Sequence, residues 1–252
     1  MARRLFVPTL VAVVLLLSGC TATGVATVPA GGDADVRTAS RGVAPESGKP
    51  DASASAAAAA RERQVLRLVD TIQLDAEQLM LTGRHDALRT ASMRDAKGTV
   101  ALLTRLLGRP RTTTTTIGDG GHCVPASTSY TWGGAIRVVD LAQRSGVGND
   151  YDVRILAASV RSRSGAEIRL QGPDGVAVGQ DIAARIGATP DTDKESYGSD
   201  GAENWQVVLE RGWSSGSGAG DAGGVNGVSA ITTGTTVAVL GSPMPVHSAA
   251  DC

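Results

Sequence analysis

The chain has 252 residues, of which 42% are hydrophobic and only 3% aromatic, and it carries 24 Lys+Arg against 25 Asp+Glu. This length allows one or two modest domains. The balanced charge argues against a dedicated nucleic-acid binder, because such proteins usually carry a strong basic excess.

Residues 1–20, MARRLFVPTLVAVVLLLSGC, have the parts of a bacterial secretion signal. Arg3 and Arg4 form a basic start. Residues 5–17 form an apolar run that is too short for the roughly 20 residues of a membrane-spanning helix. The sequence therefore predicts a signal peptide over residues 1–19.

The run ends in Leu17-Ser18-Gly19-Cys20, which resembles the lipobox of bacterial membrane-anchored lipoproteins. The resemblance implies cleavage before Cys20 and lipidation of that cysteine, with acyl chains such as palmitate as the anchor. Two or more chains hold a protein stably on a membrane. We therefore expect a lipid-anchored protein on the extracytoplasmic face of the cell membrane. The strong preference for Arg over Lys indicates a GC-rich, actinobacterial type of lipoprotein.

Cys123 and Cys252 are the other two cysteines of the chain. Disulfides persist outside the cytoplasm, so we expect a Cys123–Cys252 bond that clips the C-terminus to the domain. Closing a loop of about 130 residues would contribute about 5 kcal/mol in the chain-entropy model. A reactive or metal-binding thiol beside His122 is the alternative, although no CxxC spacing or histidine cluster accompanies it.

Residues 20–60 predict a disordered tether, because they contain four valines as their only larger aliphatic residues and no aromatic residue. In residues 61–109, apolar side chains follow a spacing of four and three that is typical of a helix; they are Val65, Val69, Ile72, Ala76 and Leu79. A second helix is predicted after Asp86, weakened at Gly98 and stopped at Gly108. We expect a helical hairpin that either binds an envelope partner, lies on anionic lipid or packs on the next domain.

Residues 110–121 predict a linker, and residues 122–252 predict a folded domain. In that domain we expect strands over 130–141, 166–170, 205–209 and 235–240 and a short helix over 181–186. A helix through 153–160 competes with a strand there, because Tyr151, Val153, Ile155 and Ala157 also alternate. The expected fold class is α+β: a helical hairpin followed by a disulfide-clipped domain with a mainly antiparallel sheet.

Candidate catalytic residues are few. Residues 212–216 match GxSxG, with Asp221 and His247 downstream of Ser214, but a nucleophile elbow must lead into a helix and Ser214 opens a Gly/Ser loop. The acids Asp191, Asp193 and Glu195 alternate like calcium ligands, yet Ser196 and Ala202 depart from the EF-hand pattern. Trp132, Trp205 and Trp213 could form a ligand platform, but scarce aromatics usually serve the core.

No cofactor, metal or catalytic set is therefore predicted. We expect a non-enzymatic accessory or protein-binding role in the cell envelope, with the membrane and an envelope protein as partners. One alternative is a carrier of a small apolar or lipid ligand. The other is an envelope hydrolase built on Ser214.

Overall fold

Two β-sheets account for most of the regular structure among the described residues. The computed structural model describes residues 52–84, 86–118, 125–142, 149–198, 203–212 and 227–246. The helices of this part are α1 (Ala52–Leu66), α2 (Ala96–Leu107) and α3 (Ala183–Ala188). Its strands are β1 (Thr71–Leu74), β2 (Gln78–Gly83), β3 (Asp86–Ser92), β4 (Thr112–Thr116), β5 (Ser127–Trp132), β6 (Ile136–Leu141), β7 (Tyr151–Ile155), β8 (Ser159–Arg161), β9 (Glu167–Gln171), β10 (Lys194–Tyr197), β11 (Asn204–Glu210), β12 (Val228–Thr233) and β13 (Thr236–Ser242).

The larger sheet has the strand order β10-β11-β12-β13-β7-β6-β5-β4 and is antiparallel throughout. It consists of two four-stranded meanders, β4 to β7 and β10 to β13. The last strands of the two meanders pair at the centre of the sheet, where Leu240 lies opposite Ile155.

Each meander follows a helix and a proline. Strand β4 follows α2 and Pro110, and β10 follows α3 and Pro190. Proline cannot continue a helix, so each helical stretch ends before it.

The smaller sheet has the order β3-β2-β1-β9-β8. Its central strands β1 and β9 are parallel, with Ile72 opposite Leu170, and its other ladders are antiparallel. Both sheets and α2 contribute to one buried hydrophobic cluster. In this cluster the Trp132 indole N–H donates to the Gly108 carbonyl at 2.9 Å, which joins β5 to the end of α2.

The predicted α+β fold with an N-terminal helical hairpin is wrong. Within residues 61–109, the first predicted helix ends at Leu66 and the segment from Thr71 to Ser92 forms three strands. Ile72 and Leu79 are fully buried, as the helical stripe required. The same residues also fit alternation, because Ile72 and Leu74 lie on one face of β1. Periodicity in so short a segment could not separate the two geometries.

The second predicted helix exists as α2, but its start differs from the expectation. Asp95, not Asp86, is its N-cap, and the Asp95 carboxylate accepts from the Gly98 N–H at 2.8 Å. Gly98 therefore lies in the first turn of the helix and serves the cap, rather than weakening the middle.

Several expectations for residues 110–252 also change. Thr112–Thr116, placed in the linker, forms strand β4 of the larger sheet. The single strand predicted over 130–141 is a hairpin that turns at Gly133 and Gly134, both with positive φ. The strand alternative at 151–155 is β7. The predicted strands at 205–209 and 235–240 are confirmed by β11 and β13.

Candidate functional site

The residues singled out from sequence for lipidation, disulfide formation and hydrolysis lie outside the described residues. These are Cys20, Cys123, Cys252, His122, Ser214, Asp221 and His247. Trp213 of the suggested ligand platform lies outside the described residues as well. The lipid anchor, the disulfide and the Ser214 hydrolase thus stay predictions. In the described ranges, no group of three His, Cys, Asp or Glu side chains is arranged to hold a metal.

The acidic run lies beside cations of the protein itself. The Asp191 carboxylate lies 3.4 Å from the Lys194 ammonium, and the Asp193 carboxylate pairs with the Arg211 guanidinium. Trp132 is 1% exposed, which places it in the core, while Trp205 lies under the Lys194 ammonium at 5.8 Å. These contacts give Asp191, Asp193 and Trp205 partners within the fold, and burial places Trp132 in the core.

The feature that stands out is a cationic pocket, here named the arginine pocket, of about 350 Å³. This volume is near the lower end of the roughly 300–1,000 Å³ typical of small-ligand sites. Two leucines, two serines and four arginines line it: Leu66, Leu106, Ser162, Ser164, Arg63, Arg67, Arg105 and Arg163.

Two helix C-termini bring three of these arginines together. Arg63 and Arg67 lie at the end of α1, and Arg105 lies in the last turn of α2. The same two helices supply the apolar floor of the pocket. Its residues are Leu66 of α1 and Leu106 of α2, which are 6% and 3% exposed. The long arginine stems can cover this floor while the guanidinium groups stay in water.

A tight turn between β8 and β9 supplies the fourth arginine. The Gly165 N–H donates to the Ser162 carbonyl at 2.9 Å, and the Ser162 N–H donates to the Ala166 carbonyl at 2.8 Å. Gly165 has φ +87°, a conformation that suits glycine at the end of such a turn. The Arg163 N–H donates to the Leu106 carbonyl at 2.9 Å, so the turn is attached directly to α2.

The pocket carries excess positive charge. Arg105 is paired with Glu62, with 3.0 Å between Nε and Oε1. Among the described residues, Arg63, Arg67 and Arg163 have no carboxylate within ion-pair distance. Each helix C-terminus contributes about half a negative charge. The four guanidinium groups, Glu62 and the two helix ends together leave a net charge of about +2.

This chemistry suits binding rather than proton transfer. A guanidinium stays protonated in proteins and cannot act as a base, whereas its planar set of donors matches carboxylate and phosphate oxygens. The two hydroxyl groups, Ser162 Oγ and Ser164 Oγ, lie 2.9 Å apart and bond to each other. The pocket is therefore a candidate site for an anionic group.

The sequence contained part of this signal. Residues 61–109 have 9 Lys+Arg against 6 Asp+Glu, which raised the possibility of a cationic face. Arg163 could not be assigned to it, because nothing in the local pattern indicates that the β8–β9 turn reaches the end of α2.

Asp152 and Arg154 form a charged pair that lies away from the pocket. The Asp152 carboxylate lies 3.6 Å from the Arg154 guanidinium on β7. Burial raises the pKa of Asp152 and lowers the pKa of Arg154. Each charge offsets part of the other's burial, so the pair needs no ligand.

No helix among the described residues is both long and apolar enough to cross a membrane. Comparison of the chain with protein-family models, with curated proteins and with solved structures found no match.

Proposed function

We propose that the protein is a lipid-anchored lipoprotein of the extracytoplasmic face and acts by binding rather than by catalysis. Its binding site is the arginine pocket, which takes the phosphate or carboxylate group of a small molecule or of an envelope partner. The observation that carries this proposal is the convergence of Arg63, Arg67 and Arg163 on one cavity without matching carboxylates among the described residues.

The pocket favours an anionic ligand over an apolar one. Its floor offers only two leucines, and the remaining lining residues are cationic or hydroxylic. A wholly apolar ligand would leave the guanidinium groups without partners and would remove part of their hydration. The carrier alternative for an apolar ligand therefore gains no support from this cavity.

A helical hairpin cannot be the partner site, because the segment expected to form it contains β1, β2 and β3. The arginine pocket is the partner site instead. It combines the C-terminal ends of α1 and α2 with the β8–β9 turn, so an acidic side chain of a partner could enter between them.

Binding is tested by calorimetric titration of the chain from residue 20 onward, carrying Cys20→Ser, with pyrophosphate and with citrate at low salt. We expect saturable binding of at least one anion, and the better anion distinguishes phosphate from carboxylate recognition. Binding should weaken with salt, because the exposed guanidinium groups are screened.

Arg163→Ala should weaken this binding at least about tenfold, since hydrogen bonds to charged groups contribute about 1.5–3 kcal/mol each. Arg89→Ala is the matched control, because Arg89 is exposed on β3 and does not line the pocket. Equal binding by the two variants, or no saturable binding to either anion, would reject the arginine pocket as the site.

The anchor is tested separately in the producing cell. The full chain should incorporate labelled palmitate and partition with membranes, while Cys20→Ser should do neither. A Cys20→Ser chain that still carries label would contradict lipidation at this residue without affecting the proposal for the pocket.

A further inference from the structure

Strand β4 forms one open edge of the larger sheet and differs from the other sheet edges. All five of its residues are threonine, and all are exposed. The other edge strands carry charges: Lys194 and Glu195 on β10, Asp86 and Arg89 on β3, and Arg161 on β8. Charges on an edge discourage pairing with another strand. β4 is the edge without this protection among the four sheet edges of the described structure.

The hydrogen-bond pattern shows which groups of β4 are available. The Ala142 N–H donates to the Ala126 carbonyl at 2.8 Å, so Thr128, Tyr130 and Trp132 direct their backbone groups toward β6. Ser127, Ser129 and Thr131 therefore direct theirs toward β4. The Arg111 N–H, which donates to the Thr131 carbonyl at 2.7 Å, agrees with this alternation.

The register of β4 on β5 then fixes the orientation of its own backbone. Thr112, Thr114 and Thr116 lie opposite Thr131, Ser129 and Ser127, so their N–H and C=O groups bond to β5. The N–H and C=O groups of Thr113 and Thr115 point away from the sheet. They offer two donors and two acceptors to another strand.

We propose that the strand bound there is β4 of a second copy of this chain, paired antiparallel around a two-fold axis at Thr114. In this register Thr113 lies opposite Thr115 of the second copy, and Thr115 lies opposite its Thr113. Each of these two pairs forms two backbone hydrogen bonds, four in all. A two-fold interface requires a surface that complements itself. A strand of five identical uncharged residues meets this requirement without a side-chain mismatch.

The residues that flank the strand support the same occupant. Ile117 is 91% exposed directly after the strand. In the two-fold register Ile117 lies opposite Arg111 of the second copy, whose aliphatic stem can cover it. Pairing over five residues buries less area than a permanent dimer, so the association should be weak and dependent on concentration.

The test is sedimentation velocity of the chain from residue 20 onward with Cys20→Ser, over a wide concentration range. Non-reducing electrophoresis of each sample excludes intermolecular disulfides through Cys123 or Cys252 and leaves the expected Cys123–Cys252 bond intact. The double variant Thr113→Pro/Thr115→Pro removes the two outward N–H groups and leaves the β4·β5 hydrogen bonds in place. We expect it to weaken self-association at least about tenfold.

The matched control is Thr113→Val/Thr115→Val, which keeps the backbone donors and the branched side-chain shape. It should associate like the parent chain. If the proline variant unfolds, Thr114→Lys replaces it, because this change keeps every backbone group and places two like charges opposite each other at the axis.

Disulfide crosslinking tests the register in which the two β4 strands pair. Thr114→Cys should form a disulfide between copies under mild oxidation, because residues opposite each other in a non-hydrogen-bonded pair have Cα atoms about 4.5 Å apart. Thr113→Cys should crosslink far less, because it faces residue 115. A chain that remains monomeric at high concentration, or valine and proline variants that associate equally, would overturn the proposal.

Discussion

The hydroxyl groups of Thr99 and Tyr151 lie 2.9 Å apart in the buried contact between α2 and β7. Both side chains are fully buried, and burial raises the pKa of Tyr151, so the phenol remains protonated at neutral pH. This hydrogen bond joins the helix that ends at the arginine pocket to the central strand of the larger sheet.

Tyr151→Phe should lower the free energy of unfolding by about 1–3 kcal/mol, because the Thr99 hydroxyl is then buried without a partner. Thr99→Val should have a cost of the same order. The double variant should be less destabilised than the sum of the two, since it leaves no unsatisfied hydroxyl. Urea denaturation of the four chains measures this coupling, and strictly additive changes would refute it.

Helix propensity alone predicts that Gly98→Ala stabilises the protein, whereas the cap at the start of α2 predicts no net gain. A Cβ at Gly98 would lie 2.0 Å from Asp95 Oδ2, so Gly98→Ala should displace the capping carboxylate. The cap contributes about 1 kcal/mol, and replacing glycine by alanine within a helix gains about the same. We expect no net stabilisation in thermal denaturation.

In the Asp95→Ala background the cap is already absent, so the same Gly98→Ala change should stabilise the protein by about 1 kcal/mol. Equal effects of Gly98→Ala in both backgrounds would show that the cap and the glycine are not coupled.

Asp70 provides a prediction for acid conditions. A hydrogen bond from the Thr71 hydroxyl, one from the Arg84 N–H and the nearby Arg169 guanidinium hold the pKa of Asp70 below its ordinary value of 3.8. A lowered pKa in the folded state stabilises the protein above pH 3.8, and this contribution is lost as the pH falls through the folded-state value.

Asp70→Asn should therefore be less stable than the parent at neutral pH and approach it under acid conditions. The difference should stay below about 1 kcal/mol, because the carboxylate is about half exposed and screened by solvent. Urea unfolding at a series of pH values measures it, and a gap that does not narrow toward low pH would contradict the assignment.

The turn that presents Arg163 depends on Gly165. Gly165→Ala should destabilise the protein by about 1–2 kcal/mol, because alanine is strained at φ +87° although no atom lies near its Cβ. Gly165→Asn should lose less stability, since asparagine tolerates a positive φ better than alanine does. If the turn positions Arg163, anion affinity should fall in the same order, with Arg89→Ala as the unaffected reference.

The strands predicted over 205–209 and 235–240 are correct, since β11 and β13 lie there. The pattern of apolar residues was ambiguous around Ile72 and Leu79. Ile72 and Leu79 are buried as expected, but over so few positions their spacing fits a strand and a helical stripe equally. The sequence therefore predicted burial in this segment better than it predicted the backbone.

The chain alone determined the local features: the signal-like start whose end resembles a lipobox, the run of five threonines and the excess of arginine over lysine. Tertiary structure decided which distant segments meet. The parallel contact of β1 with β9 joins residues about a hundred positions apart, and the arginine pocket exists because the β8–β9 turn reaches the end of α2. Local spacing contains no information about such contacts, since they depend on how the two sheets share one core.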